Sequence, residues 1–417
     1  MRRTTCSACA SPDLEIFLDL GLSPIADAYL EHPDVSVNRY PLEVAVCGKC
    51  HLVQLLEVLD SEVLFESGYS FYSSASPPLS AYHHSYANEV IATYGNLPSL
   101  SSPVGRVTRL GGRPVIEIGC NDGDLLRHFK SAGFQTLGID PAGGPVAVAR
   151  SRGLEVINVP FGSQKALDLL RQNDMVRAGI VIANHVLAHV AEVADFMAGI
   201  ALLLDKDSIA MIEVQYLPDL LVNNAFDLVY HEHRNFFSLT SLELAAGRFD
   251  LHIIDAQLTR RQGGSLRVTL SRVPALNADV EALRQHERWL QDWGPYAGFQ
   301  GRVDRIRARL LDLIADEIRQ GRKIVGYGAP AKATTLLNYC GIDASMLEYV
   351  VDSTIAKQGR FIPGTGLQIL PPDAESEPAD TFLALAWNYL TEIMRNNADF
   401  TAKKGRWISP IPAPVIL

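Results

Sequence analysis

The chain has 417 residues, 47% apolar and 20% charged, enough for two or three domains with cores of their own and too apolar for wholesale disorder. Its 37 lysines and arginines face 47 acids, a net charge of −10 spread along the chain, which argues against a surface for nucleic acid or anionic membrane. No apolar run approaches the ~20 residues of a membrane span, and two early arginines lead into TTCSACASPD without a signal-peptide core, so a soluble cytoplasmic protein is expected.

Four of the six cysteines come first. Cys6 and Cys9 form one C-x2-C, Cys47 and Cys50 another, and thirty-seven residues separate the pairs. Each pair grips two corners of a tetrahedron, the spacing of a structural zinc site in a reducing compartment. Four thiolates leave no open coordination position, so this zinc serves folding. His51, directly after Cys50, is either a spare ligand or a surface residue.

Beyond this module a Ser/Tyr-rich turn, GYSFYSSAS, leads into a helix started by Pro77 and Pro78 and carrying Tyr82, Tyr86 and Val90 on one face. From Pro114 strands alternate with helices: PVIEIG, FQTLGID, AGIVIAN and DSIAMIEVQ read as buried strands of a doubly wound parallel sheet. GGSLRVTLSRV closes that unit as an alternating strand. Residues 277–320 have helical periodicity, broken at Gly294-Pro295. A second strand–turn–helix follows at RKIVGYGAPAKATTLLNYC, then the strands LEYVVDSTIAKQGRFIPG and TFLALAW. The expected organisation is an α/β chain with a zinc-binding domain at 1–70, a central doubly wound domain at 71–276, a helical bridge at 277–320 and a Rossmann-like domain at 321–417.

Three constellations carry chemistry. In VIEIGCNDGDLL, Gly119 and Gly123 let the backbone approach a ligand that a Cβ would block. Asp140, ending the next strand, sits where an acid accepts hydrogen bonds from ribose hydroxyls. Asp122 stands where a pyrophosphate would otherwise lie, so the loop suits a cationic, phosphate-free nucleoside such as S-adenosylmethionine. Glu117, Gly119, Asn121, Asp122, Asp140 and Asn184 are its expected contacts. In VGYGAPAKATTL, Gly326, Gly328 and Ala331 fit the dinucleotide fingerprint, with Asp352 about twenty residues on. Lys332 and Lys357, with the loop's backbone amides, would pair with a diphosphate, and Tyr327 and Arg360 complete the expected set. A nicotinamide cofactor and a nucleotide-linked substrate both remain open here. The third constellation, YHEHR at Tyr230–Arg234, crowds proton-handling groups between apolar neighbours. Extended, it would put Tyr230, Glu232 and Arg234 on one face and His231 and His233 on the other; in a turn all five converge. A histidine base with an adjacent carboxylate fits this stretch better than a metal site, while a solvated polar loop is the alternative that the stretch by itself favours.

CSAC…CGKC, EIGCNDG, ANHVLAHV, IEVQYL, YHEHRNFFSL, GGSLRV, GYGAPAKATTLLNY and VDSTIAKQGRFIPG occur in order. In these the chain resembles the zinc-containing sugar C-methyltransferases of deoxysugar pathways, which methylate C3, or in some members C5, of nucleotide-linked 4-keto sugars. The resemblance implies a zinc domain, a central S-adenosylmethionine-dependent methyltransferase domain and a C-terminal domain holding the nucleotide of the sugar, most simply a thymidine diphosphate. It implies His233 as the base, with Tyr230, Glu232 and His189 beside it and Tyr72, chosen over Tyr69, lining the site. EVQYL and RQGGSLR depart from the more usual EFPHL and HGGSLR, so Gln262 replaces a histidine and the sugar accepted is left open. The implied chemistry is enolate formation next to the C4 ketone, His233 taking the C3 proton with help from Glu232 and donors such as Tyr230, Tyr72 or His189 on the oxygen, with the zinc remote from the reaction. The rivals are a nicotinamide oxidoreductase built on the 326–331 fingerprint and a non-catalytic zinc-ribbon interaction protein.

Overall fold

The computed structural model describes residues 1–60, 63–64, 71–96, 112–172, 177–259, 263–373 and 379–417. Tyr69 and Gln262 lie outside the described residues. Three sheets organise the described residues. The first is antiparallel, ordered β1 (Leu14–Pro24), β2 (Arg39–Cys47), β3 (Val53–Leu55) and β9 (Asn235–Phe236). Its fourth strand comes from the middle of the chain, immediately after YHEHR.

The second sheet contains β4 (Val115–Ile118), β5 (Thr136–Ile139), β6 (Val156–Ile157), β7 (Ile180–Asn184), β8 (Ile209–Gln215), β10 (His252–Thr259) and β11 (Ser265–Ser271), ordered β10-β11-β8-β7-β4-β5-β6. β4 to β8 are parallel, while β11 runs antiparallel to β8 and β10 to β11. The expected parallel sheet therefore carries an antiparallel hairpin at one edge. β11 is buried at every position rather than alternating. Elements cover both faces of the sheet there, which removes the polar face that alternation requires.

The third sheet takes β12 (Ile324–Tyr327), β13 (Val350–Val351), β14 (Ile369–Leu370), β15 (Thr381–Ala384), β16 (Arg406–Ser409) and β17 (Val415–Ile416) in the order β14-β13-β12-β15-β16-β17. All pairs but the last are parallel. Numbered within the sheet, this is the 3-2-1-4-5-6 order of dinucleotide-type folds, whose ligands bind outside the carboxyl ends at the switch between strands 1 and 4.

Two apolar cores tie the sheets together. Phe17, Leu18, Leu42 and Val44 of the first sheet share one with Phe299, Val303, Ile306 and Leu310 of the helix Phe299–Arg319 and with Ile324, Val350 and Ile408 of the third. That helix shows a buried residue every three or four positions, the amphipathic spacing. Cys6, Cys47 and Cys50 belong instead to the core of the second sheet, with Val181, Ile212 and Val214. The cysteine module is thus wedged between the other two sheets. Among the described residues no helix is long and apolar enough to cross a membrane.

Candidate active site

YHEHR folds as a turn. The His233 amide donates to the Tyr230 carbonyl at 2.8 Å, which brings the Tyr230 hydroxyl 2.6 Å from His233 Nε2. His231 leaves in the opposite direction, 3.2 Å from the Pro41 carbonyl, and Arg234 reaches the Leu59 carbonyl. The five polar residues therefore do not all converge. Tyr230 and His233 form the pair, and His189 joins them with its ring 5.1 Å from that of His233.

The tautomers follow from the partners. His233 Nδ1 lies 2.9 Å from the Leu228 carbonyl, and His189 Nδ1 lies 2.8 Å from the Glu232 carbonyl. A carbonyl oxygen only accepts, so Nδ1 carries the hydrogen in both rings and each Nε2 keeps a lone pair. Burial pushes His233 well below the usual histidine range, with the neighbouring His189 adding to the effect, and pulls His189 down to about 4. Both rings are neutral at physiological pH. His189 accordingly presents an acceptor, not the donor expected for an enolate oxygen.

The Glu232 carboxyl sets neither tautomer; its backbone carbonyl sets that of His189. Burial, aided by the charge of Asp27, raises that carboxyl to about 8, so it is a protonated acid at neutral pH. Its electrostatic neighbours are Asp27 and Tyr29 of the cysteine module, and the Tyr29 hydroxyl donates to Ala329 O at 2.6 Å. Glu232 thus faces the loop after β12, across the junction of the first and third sheets.

The loop after β4 is strapped down by residues 71–75. Asn121 Oδ1 accepts from Ser73 N at 2.9 Å, Asn121 Nδ2 donates to Phe71 O at 3.0 Å, and Asp122 accepts from the Ser74 hydroxyl. Asp140 accepts from the amides of Asn121 (2.8 Å) and Ala142 (2.7 Å). Gly119 and Gly123 have φ of +71° and +77°, yet an added Cβ would strike Val186 and Leu154 rather than open ligand space. Those glycines serve the packing of the loop on the protein itself. Three polar atoms here are buried with no partner among the described residues: Glu117 Oε2, Asp122 Oδ1 and Asn184 Nδ2. Orphans of this kind at the carboxyl ends of β4 and β7 are the places a polar ligand would fill. The Tyr72 hydroxyl lies against Gly144, at the start of the helix Gly143–Ser151 after β5. Tyr72 thus rides on the strap that is fixed to the β4 loop.

The loop after β12 departs further from expectation. The half-buried Tyr327 ring packs 5.2 Å from Phe382 and 5.4 Å from Trp407, and its hydroxyl accepts from Asn397 at 2.9 Å, so both ring and hydroxyl are engaged within the protein. Lys332 turns inward, buried 3.8 Å from the Trp387 ring and 3.7 Å from Asp227, and burial lowers it to about 8. Asp352 accepts the Ala329 amide at 2.7 Å, which removes that amide from any diphosphate cradle. Lys357 donates to Ala329 O at 2.8 Å, and Arg360 pairs with Glu31 at the surface. Lys357 alone of the expected set stays at the loop's edge, beside Tyr29.

The sulfurs of Cys6, Cys9, Cys47 and Cys50 lie within 4.8 Å of one another, with Cys6–Cys50 and Cys9–Cys47 at 3.5 Å. Zinc–sulfur bonds of ~2.3 Å would give tetrahedral edges of about 3.8 Å, so the cluster fits one zinc ion, and the sulfurs are too far apart for disulfides. His51 is not part of the cluster. The site is less remote than expected. Ser7, between two of the ligands, donates to Asn235 Oδ1 at 2.9 Å and accepts the Ala194 amide at 3.0 Å through its carbonyl. Asn235 in turn donates to Val190 O, and the Arg234 amide to Ala188 O. One knuckle therefore holds both histidine-bearing segments.

Residues that sequence reasoning passed over include Asp27, Tyr29, Asp227, His185 and Glu213. The last two had a signal, His185 in the NHVLAH run and an acid four residues into a buried strand.

A family model described as a putative zinc binding domain matches residues 6–65, a methyltransferase domain matches 95–256, and a C-methyltransferase C-terminal domain matches 260–412. The C-methyltransferase NovU of Streptomyces niveus is 31% identical, covering 99% of this chain and 96% of its own. Among solved structures, magnesium protoporphyrin IX methyltransferase of Synechocystis PCC 6803 with bound SAH aligns at 17% identity, 46% of this chain, 83% of that one and TM-score 0.34. The Haloferax volcanii complex of the Trm112 methyltransferase activator with its putative methyltransferase aligns at 13% identity, 47% and 97% coverage and TM-score 0.33.

Proposed function

The chain belongs to the C-methyltransferase family, and from that premise we propose that it methylates C3 of a nucleotide-linked 4-keto-deoxysugar, carried on thymidine diphosphate, in the cytoplasm. It is an S-adenosylmethionine-dependent enzyme with a zinc-binding domain. The observation that carries the finer reading is the buried, neutral His233, whose single lone pair meets the Tyr230 hydroxyl.

When bound, S-adenosylmethionine supplies an electrophilic methyl group. Glu117, Asp122 and Asn184, which carry the unpartnered polar atoms, would hold it together with Asp140 at the end of β5. A carbon beside a ketone gives up a proton only where the enolate oxygen is stabilised. Tyr230 moves its hydrogen bond from Nε2 to that oxygen, and the same movement frees Nε2 as the base. One such donor contributes about 3 kcal/mol. His233 then takes the C3 proton while its Nδ1 hydrogen stays on Leu228 O. Glu232, as a protonated acid, supplies a second donor toward the sugar. Lys357 and the third sheet's loop hold the nucleotide, and that remote grip aligns the reacting carbon.

Incubation with a panel of thymidine- and guanosine-diphospho 4-keto sugars, read by mass spectrometry, tests the substrate. A product heavier by one methylene is expected from the thymidine series; no product from any sugar would refute the reading. His233→Asn should abolish turnover, a loss of at least about a thousandfold, with S-adenosylmethionine affinity nearly unchanged. Asp140→Ala should do the reverse and weaken cofactor binding first, seen by equilibrium dialysis.

A further inference from the structure

Resting on the reading above, we infer that His185, held by Glu213, is the group through which the proton taken by His233 leaves the pocket. His185 ends the run after β7, where the chain turns away from the carboxyl edge of the sheet beside β4. Its φ is +54°, a conformation that non-glycine residues rarely adopt and that tends to persist where the surroundings enforce it. Two contacts to β8 enforce it here: its amide donates to Glu213 O at 2.7 Å, and its Nε2 lies 3.3 Å from Glu213 Oε1. The next residue, Val186, packs on Gly119 of the β4 loop. Four residues on stands His189, whose amide bonds Val186 O at 2.8 Å. The His185 imidazole is thus a neighbour of the pair, near enough for its charge to be felt by both His189 and His233.

Three imidazoles share this part of the cleft, and only one is backed by a carboxylate. Burial opposes the charge on Glu213, but His185, Tyr82 and Arg267 outweigh it and keep the carboxyl below its usual range, so it is ionised. An ionised carboxylate only accepts, so His185 Nε2 carries the hydrogen and Nδ1 is left with the lone pair. A carboxylate on the far nitrogen fixes the orientation and tautomer of an imidazole, as in hydrolase triads. The side chain of His185 is 23% exposed while that of Glu213 is fully buried, so the dyad has one wet end and one dry end. The charged and titratable groups around it are Glu213 on β8, Tyr82 and Tyr86 on the helix Pro77–Tyr94, Arg267 on β11 with its partner Glu89, and His189 and His233.

Each turnover releases one proton. The C–H bond breaks with its electron pair left on carbon for the new C–C bond, and the proton passes to His233 Nε2. Neither His233 nor His189 holds a proton stably in its apolar surroundings, so it moves on to His185 Nδ1 and then to water. No oxidant or reductant enters.

Two measurements decide this. His185→Gln should lower kcat by about 10- to 100-fold with S-adenosylmethionine affinity within about threefold of the wild type, and Glu213→Gln should act in the same direction, whereas Tyr82→Phe, which spares the His185 contact, should cost far less. A His185→Gln enzyme with kcat within about threefold of the wild type overturns the assignment. Ring-nitrogen NMR of His185 needs no substrate: it should show Nε2–H with Nδ1 as the nitrogen that gains the proton. A bare Nε2 facing Glu213 overturns the assignment even if no sugar tried is a substrate. Failure of the wild-type enzyme on every sugar would instead count against the reaction proposed above.

Discussion

His189 and His233 are fixed by backbone carbonyls, and this decides what they do. A neutral ring with Nδ1 committed to a carbonyl offers a single lone pair, and in His233 that lone pair rests on a tyrosine hydroxyl. Tyr230→Phe frees the lone pair but deletes the donor, so kcat should fall by about 100- to 1,000-fold while KM changes little; an unchanged kcat would remove Tyr230 from the reaction. Glu232 makes a separate prediction about stability. Its carboxyl is raised to about 8 when folded, against an ordinary 4.5, so the fold binds a proton that the unfolded chain has lost between those values. Stability from this group is present below pH ~4.5 and is lost as pH rises toward about 8. Glu232→Gln should therefore gain thermal stability relative to the wild type at pH 8 and not at pH 4.5, which melting curves at the two pH values will show. The histidine cluster itself was visible in the sequence as a density of ionisable groups. Its wiring was not, because backbone acceptors carry no residue signature and because the +54° φ of His185 follows from β8, about thirty residues on.

Elements with a long apolar run, β4, β7, β8 and β12, were legible from their flanking glycines and acids. Short strands such as β9 and β14 were not, since two residues carry no period. β9 matters most among these. It extends the cysteine module's sheet with the residues that follow His233, and Ser7 pins Asn235 from within a knuckle. Zinc and the base are therefore coupled through one strand. Chelation should release one zinc per chain and lower Tm by more than ~10 °C, read by metal analysis and melting in parallel. An unchanged Tm after complete zinc loss would contradict the coupling. Gly119 tests the loop after β4 in the same way. Gly119→Ala combines a +71° φ with a clash against Val186, so it should destabilise the fold and displace the His185–His189 segment.

Across the whole molecule, the three sheets do not behave as beads on a string. The first shares one apolar core with the third, while its cysteines are built into the core of the second. The proposed site draws on all three parts: His233 and His189 come from the central part, Asp27 and Tyr29 from the cysteine module, and Ala329 and Lys357 from the loops of the third sheet. Boundaries drawn on composition alone missed this, because a residue's partners across 200 or 300 positions leave no local trace. The central claim is that His233 removes a carbon-bound proton in this shared pocket, and hydrogen exchange tests it most directly. With a 4-keto sugar nucleotide and S-adenosylhomocysteine in deuterium oxide, the wild-type enzyme should replace the hydrogen at C3 by deuterium, and His233→Asn should leave it in place. Exchange in His233→Asn at the wild-type rate would contradict the account.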